Sequence, residues 1–130
     1  KNINLDNGPF GKITAISLNT GKRVWEIPAG TYKASDTKVV VGSKTYGAIT
    51  DGGQLDGVSF YTGSFDKKIY AIDNKNGKYL WNSDLPASGS ALPLIYNTPK
   101  HRWIFVIATG GRVKSDRSDK IVAFRQRLVE

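Results

Sequence analysis

The amino-acid sequence predicts an all-β protein built from small antiparallel sheets. Three observations carry that expectation. No segment of the 130 residues keeps a helical apolar period over three turns. Short runs rich in β-branched and aromatic residues recur instead, each bounded by Gly, Asn, Asp or Pro. One eleven-residue phrase is also spelled twice, as AISLNTGKRVW over residues 15–25 and as AIDNKNGKYLW over residues 71–81.

Taken in order, the runs predict strands over residues 13–18, 23–27, 46–50, 58–63, 68–72, 79–83, 91–96, 103–108 and 120–125. Turn chemistry separates them. Asn19-Thr20-Gly21 and Asn74-Lys75-Asn76-Gly77 offer the positive φ that a tight hairpin needs, and Asp51-Gly52-Gly53 and Thr98-Pro99 act in the same way. The two copies of the phrase are offset by 56 residues. Simple propeller repeats run to roughly 40–50 residues, so an insertion is expected between the copies. Residues 29–45, rich in Thr, Lys, Ser and Gly, fit a loop insertion. The strands at 46–50, 58–63, 68–72 and 79–83 then make a four-stranded meander, the unit of a propeller blade. The expected division is the end of one blade over 1–28, the insertion over 29–45, a complete blade over 46–84 and a partial closing blade over 85–130. Such an array does not close a ring.

The phrase has a packing logic. Its first position is Ala15 or Ala71, its seventh Gly21 or Gly77, and its last Trp25 or Trp81. Glycine permits the hairpin and offers bare backbone to an indole, while alanine leaves room for a neighbouring sheet. An indole wedged there buries on the order of 150–250 Å² and needs a carbonyl for its N–H. The tryptophans read as wall, not as chemistry.

Composition narrows the function classes. The chain lacks cysteine and methionine, so disulfides and cysteine-based metal sites are excluded. With no starting methionine, it is expected to be processed or cut from a longer chain. The formal charge is +8, but Lys22, Lys67, Lys68, Lys75, Lys78 and Lys100 fall in turns, where solvated charge is ordinary, and nucleic acid is not expected as a partner. The densest basic segment, from Arg112 and Lys114 through Arg117 and Lys120 to Arg125 and Arg127, suits an anionic lipid surface or a solvated chain end equally well. His101, in the turn NTPKHRW, reads as solvated and without a metal role. Asp51 and Asp56 lack the dense oxygen spacing of a calcium loop. No GxSxG, P-loop or Rossmann fingerprint is present.

The phrase AxDxxxGKxxW resembles the tryptophan-docking motif of the pyrroloquinoline quinone (PQQ)-dependent dehydrogenases, which are eight-bladed propellers. The resemblance extends through DGG, VSFYTGSFDKKIYAIDNKNGKYLW, LPASGSALPLIY, WIFVIATGG and KIVAFR, and on the N-terminal side through PFGKITAISLNTGKRVWEIPAGT. That order is similar to the last stretch of the membrane-bound glucose, quinate and polyol dehydrogenases. Ala15, Gly21, Trp25, Ala71, Asp73, Gly77 and Trp81 occupy the docking positions. Ser17 stands where the motif has aspartate and Asn76 where it has threonine, and both keep local hydrogen-bonding capacity. Arg112 stands where the glucose enzymes have a histidine after the paired glycines. A permanent guanidinium there cannot be a neutral base but can pair with a carboxylate of the quinone.

The resemblance implies the C-terminal part of an enzyme that oxidises a sugar, polyol or alcohol at PQQ, with Ca2+ or Mg2+, and passes electrons to ubiquinone. The expected location is the periplasm, facing the inner membrane of a Gram-negative bacterium. Asp66, Gly110, Gly111 and Arg112 are the cofactor-binding candidates in this chain. Asp66 also fits plain turn chemistry, and Gly110 and Gly111 fit a plain turn. The catalytic base, metal ligands and most cofactor contacts come from earlier blades in the family. The chain alone is therefore expected to hold no metal or cofactor, to be inactive, and to have the remaining blades as its partners. An alternative reading is a non-enzymatic propeller scaffold like the outer-membrane-assembly lipoproteins, and a third is a binding module that self-associates through open strand edges.

Overall fold

The computed structural model describes residues 11–33, 39–41, 49–51, 57–62, 66–89, 91–110 and 117–128. All eleven elements among them are strands. A first hairpin pairs β1 (Lys12–Ile16) with β2 (Arg23–Pro28), and a short one pairs β3 (Thr31–Lys33) with β4 (Val39–Val41). A four-stranded antiparallel meander follows, β5 (Ile49–Asp51), β6 (Val58–Thr62), β7 (Lys68–Asp73) and β8 (Tyr79–Asp84), in that spatial order. A last sheet holds β9 (Leu94–Asn97), β10 (His101–Gly110) and β11 (Arg117–Arg127), with β10 in the middle. Successive antiparallel meanders packed face to face are the arrangement of a partial β-propeller.

The two copies of the phrase fold alike because the same local chemistry acts in both. Gly21 and Gly77 have φ of +66° and +72°, a region that costs other L-residues about 1–2 kcal/mol. The Gly21 N–H donates to the Ser17 carbonyl and the Gly77 N–H to the Asp73 carbonyl, both at 2.8 Å. The backbone N–H groups of Ser17 and Asp73 in turn donate to the carbonyls of Lys22 and Lys78, both at 2.9 Å. The Thr20 hydroxyl accepts from the Lys22 N–H at 3.3 Å, and the Asn76 side-chain oxygen accepts from the Lys78 N–H at 2.8 Å, so threonine and asparagine do one task. Ala15 faces Trp25 and Ala71 faces Trp81, and in both hairpins the register slips at the next residue.

The meander is covered on both faces. Alternation along β6 and β7 sends Phe60, Ile69 and Ala71 into one core with Ile104, Val106 and Ala108 of the last sheet. It sends Tyr61, Tyr70 and Ile72 into a second core with Ile13, Trp25 and Ile27 of the first hairpin. Ile69 and Ile72 are fully buried, each worth about 1.5–3 kcal/mol of apolar transfer. β8, at the sheet edge, is mostly exposed.

Several strand limits differ from expectation. The segment read as a loop insertion contains β3 and β4, in keeping with the β propensity of Tyr32 and the run Val39–Val41. β9 begins at Leu94 because Pro93 has no N–H to give to a ladder. β10 and β11 outrun the apolar core: the ladder from His101↔Arg127 to Gly110↔Arg117 carries charged residues at both ends. His101 is half-buried rather than fully solvated, its N–H held by the Thr98 hydroxyl at 3.0 Å. Of the residues singled out by sequence, Asp56, Gly111, Arg112 and Lys114 lie outside the described residues, as do the Gly52-Gly53 turn and residues 46–48.

Candidate functional site

Three segments meet at one end of the two larger sheets. β6 ends at Thr62, β8 ends at Asp84 and β10 ends at Gly110, and antiparallel pairing brings the start of β7 to the same edge, with Thr62 opposite Ile69 and Lys68 opposite Asp84. The connector after β8 is drawn into this corner. The Leu85 N–H donates to the Lys67 carbonyl at 2.7 Å, the buried Thr62 hydroxyl donates to the Gly89 carbonyl at 2.7 Å, and the Gly110 N–H donates to the Ser88 carbonyl at 2.9 Å. Ala87, Ser88 and Gly89 are all buried. A Cβ on Gly89 would stand 2.8 Å from the Thr62 methyl, so the connector lies against β6 more closely than a side chain permits. Ser88 and Gly89 thus tie the end of one sheet to the end of the next.

Thr62→Val, which is nearly isosteric, should leave the Gly89 carbonyl without its donor and cost about 1–3 kcal/mol. Urea unfolding of the full-length chain checks this, and an unchanged midpoint would show that the bond carries no stability.

Asp66 enters the corner half-buried, in the turn between β6 and β7. Its Oδ2 accepts the Tyr70 hydroxyl at 2.5 Å and its Oδ1 the Lys68 N–H at 3.3 Å. Lys67, between them, has φ of +52°. Lys68 also pairs with Asp84 across the ladder. Gly110 has φ of +65°, and the β10–β11 register slips between Ala108 and Gly110, a bulge of the kind that re-aims a strand end. The structure therefore brings Asp66 and Gly110 to one edge through the connector. The other two cofactor candidates, Gly111 and Arg112, lie outside the described residues.

Behind Asp66 stands a cluster of tyrosines. The rings of Tyr61 and Tyr70 stack with centroids 4.8 Å apart, and Tyr79 tilts against both. The Tyr61 and Tyr79 hydroxyls are 2.6 Å apart, Tyr79 donates to the Pro28 carbonyl at 2.6 Å, and Tyr61 accepts the Gly30 N–H at 3.2 Å. Burial first, and then the Tyr79 hydroxyl, push the Tyr61 phenol well above its ordinary value, so it stays protonated. At the exposed face of the first hairpin, the Lys12 hydrogen bond holds Glu26 below the usual carboxylate range against a smaller opposing effect of burial.

The motif residues have unlike surroundings. Trp25 lies on Gly77: a Cβ there would meet the indole at 2.7 and 2.9 Å and the Ile27 side chain at 3.0 Å. The Trp25 indole N–H donates to the Asn74 carbonyl at 2.8 Å. Asp73 shapes the same turn by accepting the Lys75 N–H at 2.7 Å. Gly21 meets nothing within 4 Å. Trp81 stands at the matching position of the next junction but is 39% exposed, touching Phe124 edge-on at a centroid distance of 5.1 Å. Beside it a cavity of about 540 Å³ opens between Phe60 and Ala71 on one sheet and Ile104 and Phe124 on the other. Among the described residues, Trp25 packs on a glycine and gives its N–H to a carbonyl, whereas Trp81 makes an edge contact with a ring.

Thr62, Ser88, Gly89 and the three tyrosines escaped sequence reasoning as site residues. The small run Ala87-Ser88-Gly89 is the signal that could have found the connector, since three small residues in sequence invite close backbone approach.

Comparison with known proteins agrees with this architecture. Residues 1–104 match the family described as PQQ: Glucose/ethanol/alcohol dehydrogenase, beta-propeller domain. The chain is 32% identical over 123 residues to the quinate/shikimate dehydrogenase (quinone) of Acinetobacter baylyi, covering 89% of this chain and 15% of that protein. It is 32% identical over 123 residues to the glycerol dehydrogenase large subunit of Gluconobacter oxydans, covering 89% of this chain and 17% of that subunit. A quinoprotein glucose dehydrogenase of the same organism is 31% identical over 124 residues, with 89% of this chain and 15% of that enzyme covered. The chain thus spans about a sixth of the length of these relatives. With most of its length matched by the family and its sheets stacked as blades, the chain belongs to the β-propeller domain of the PQQ-dependent glucose/ethanol/alcohol dehydrogenases.

Proposed function

We propose that this chain forms the C-terminal blades of a quinone-linked dehydrogenase that oxidises a hydroxyl group of a polyol, sugar or cyclic alcohol. The observation that supports this most directly is the corner where Thr62, Ser88, Gly89 and Gly110 tie two sheet ends together, within a stretch that resembles quinate, glycerol and glucose dehydrogenases over 89% of its length. The corner suits the rim of a pocket for a flat polycyclic quinone. Ala87, Ser88 and Gly89 of its connector are small and buried, and Gly110 offers bare backbone at a strand end. PQQ, when bound, supplies the electrophilic carbonyl that takes hydride from the alcohol.

The residues of this chain have a bounded share in that chemistry. Asp66, already accepting from Tyr70 and Lys68, adds acceptor capacity and negative charge, so it suits an N–H or O–H group or a cation rather than a carboxylate of the cofactor. A cofactor carboxylate is the role for Arg112. Among the described residues no three metal-ligating side chains stand together, and this reading assigns Ca2+ or Mg2+ and the catalytic base to the rest of the full-length chain. In the same reading, Trp25 on Gly77 is one of the docking contacts repeated around the ring, the enzyme faces the periplasm, and ubiquinone takes the electrons.

The full-length chain, loaded with PQQ and Ca2+, should reduce a dye acceptor with at least one of quinate, glycerol and glucose, and residues 1–130 alone should not. Turnover by the isolated chain, or none by the loaded full-length protein with any of the three, would overturn the reading.

A further inference from the structure

We infer that Tyr70 is a positioning residue that holds the Asp66 carboxylate in the orientation the cofactor rim requires, and that the tyrosine cluster anchors this orientation to the neighbouring sheet. The inference rests on the proposal that the corner faces the cofactor. It adds to that proposal a residue which the sequence pattern does not mark, because Tyr70 lies in a strand between two cores.

The geometry is specific. Asp66 sits in a turn, where a carboxylate otherwise has free rotation about two bonds. Here each oxygen has a donor, the Lys68 N–H on Oδ1 and the Tyr70 hydroxyl on Oδ2. The donor is itself fixed. Tyr70 is only 9% exposed, and its ring stacks on Tyr61 with an interplanar angle of 14°. Tyr61 is held by the Gly30 N–H and by Tyr79, and Tyr79 by the Pro28 carbonyl. Pro28 and Gly30 belong to the first hairpin and its exit, so the chain of contacts runs from one sheet, through three rings of the next, to the Asp66 carboxylate. This brace fixes where the Asp66 carboxylate sits relative to the corner, which is what a ligand bound there would require.

The consequence is a coupling that can be measured in the full-length protein. PQQ affinity is read by titrating the apoprotein with PQQ and following its absorbance, which does not depend on turnover. Asp66→Asn should weaken PQQ binding about tenfold, the effect of losing one hydrogen bond to a charged group. Tyr70→Phe removes only the hydroxyl and keeps the stacked ring. It should weaken binding by a similar factor, and the double variant should be no worse than either single one, because both changes disable one group. Tyr79→Phe, which removes a hydroxyl of the same cluster without touching Asp66, serves as the control for stability. It should lower the urea midpoint while moving PQQ affinity by less than Tyr70→Phe does.

The outcomes separate the two ideas. If Asp66→Asn leaves PQQ binding unchanged, the placement of the corner at the cofactor fails and the positioning role fails with it. If Asp66→Asn weakens binding while Tyr70→Phe does not, the corner stands and the positioning role is overturned. Additive losses in the double variant would also overturn it, since they would show Tyr70 acting by a route other than Asp66.

Discussion

Trp25→Ala in the full-length chain is expected to lower the unfolding free energy by about 3 kcal/mol, and Trp81→Ala by about 1 kcal/mol. The two residues hold the same position of one repeated phrase and the same register opposite an alanine. Their surroundings differ. Trp25 covers the backbone at Gly77, packs with Ile27 and gives its N–H to Asn74 at 2.8 Å. Among the described residues Trp81 is 39% exposed beside an open groove of about 540 Å³, so its removal widens an open space rather than leaving a closed one. Trp25→Phe should recover part of the loss but not the hydrogen bond, worth about 1 kcal/mol. Urea midpoints of the three variants measure this, and equal losses for Trp25→Ala and Trp81→Ala would refute the asymmetry.

Gly77→Ala should cost about 2–5 kcal/mol, the sum of a left-handed backbone penalty of about 1–2 and an overpacking cost of about 1–3. Gly21→Ala should cost only the first of these, because its φ is nearly the same but nothing lies within 4 Å of a Cβ there. At Gly77 the added methyl would sit 2.7 Å from the Trp25 ring, which cannot move without giving up the bond to Asn74. Combining Gly77→Ala with Trp25→Ala removes the clash, so the double variant should be more stable than the sum of the single losses allows. If Gly77→Ala and Gly21→Ala prove equal, the ring does not press on the glycine in solution.

Much of the middle meander is legible in the residues alone. Val58–Thr62, Lys68–Asp73 and Tyr79–Asp84 fall within a residue of the strands expected from alternation and turn residues, since both signals act over a few neighbours. The hairpin β3–β4 escapes such reasoning because Thr, Lys and Ser around it resemble a loop by composition, and three-residue strands are too short to show a period. The site is legible only in part. Asp66 and Gly110 are reached through resemblance, while Thr62 and Ser88 become visible when a hydroxyl and a carbonyl meet partners that lie 27 and 22 residues away. A threonine at the end of a strand does not announce what its hydroxyl will hold.

By itself the sequence determined the all-β class, the two matching turns and the need for glycine at their seventh positions, because backbone dihedrals and hairpin bonds are settled within six residues. It also determined that the phrase would present an indole to something. What that indole meets was decided only by tertiary structure. Trp25 finds a glycine and a carbonyl about fifty residues on, in a turn that the next sheet brings against it. Among the described residues Trp81 meets the edge of the Phe124 ring on strand β11. The same position of a repeated turn makes unlike contacts among the described residues, because packing depends on the neighbour's backbone as much as on the side chain that reaches for it.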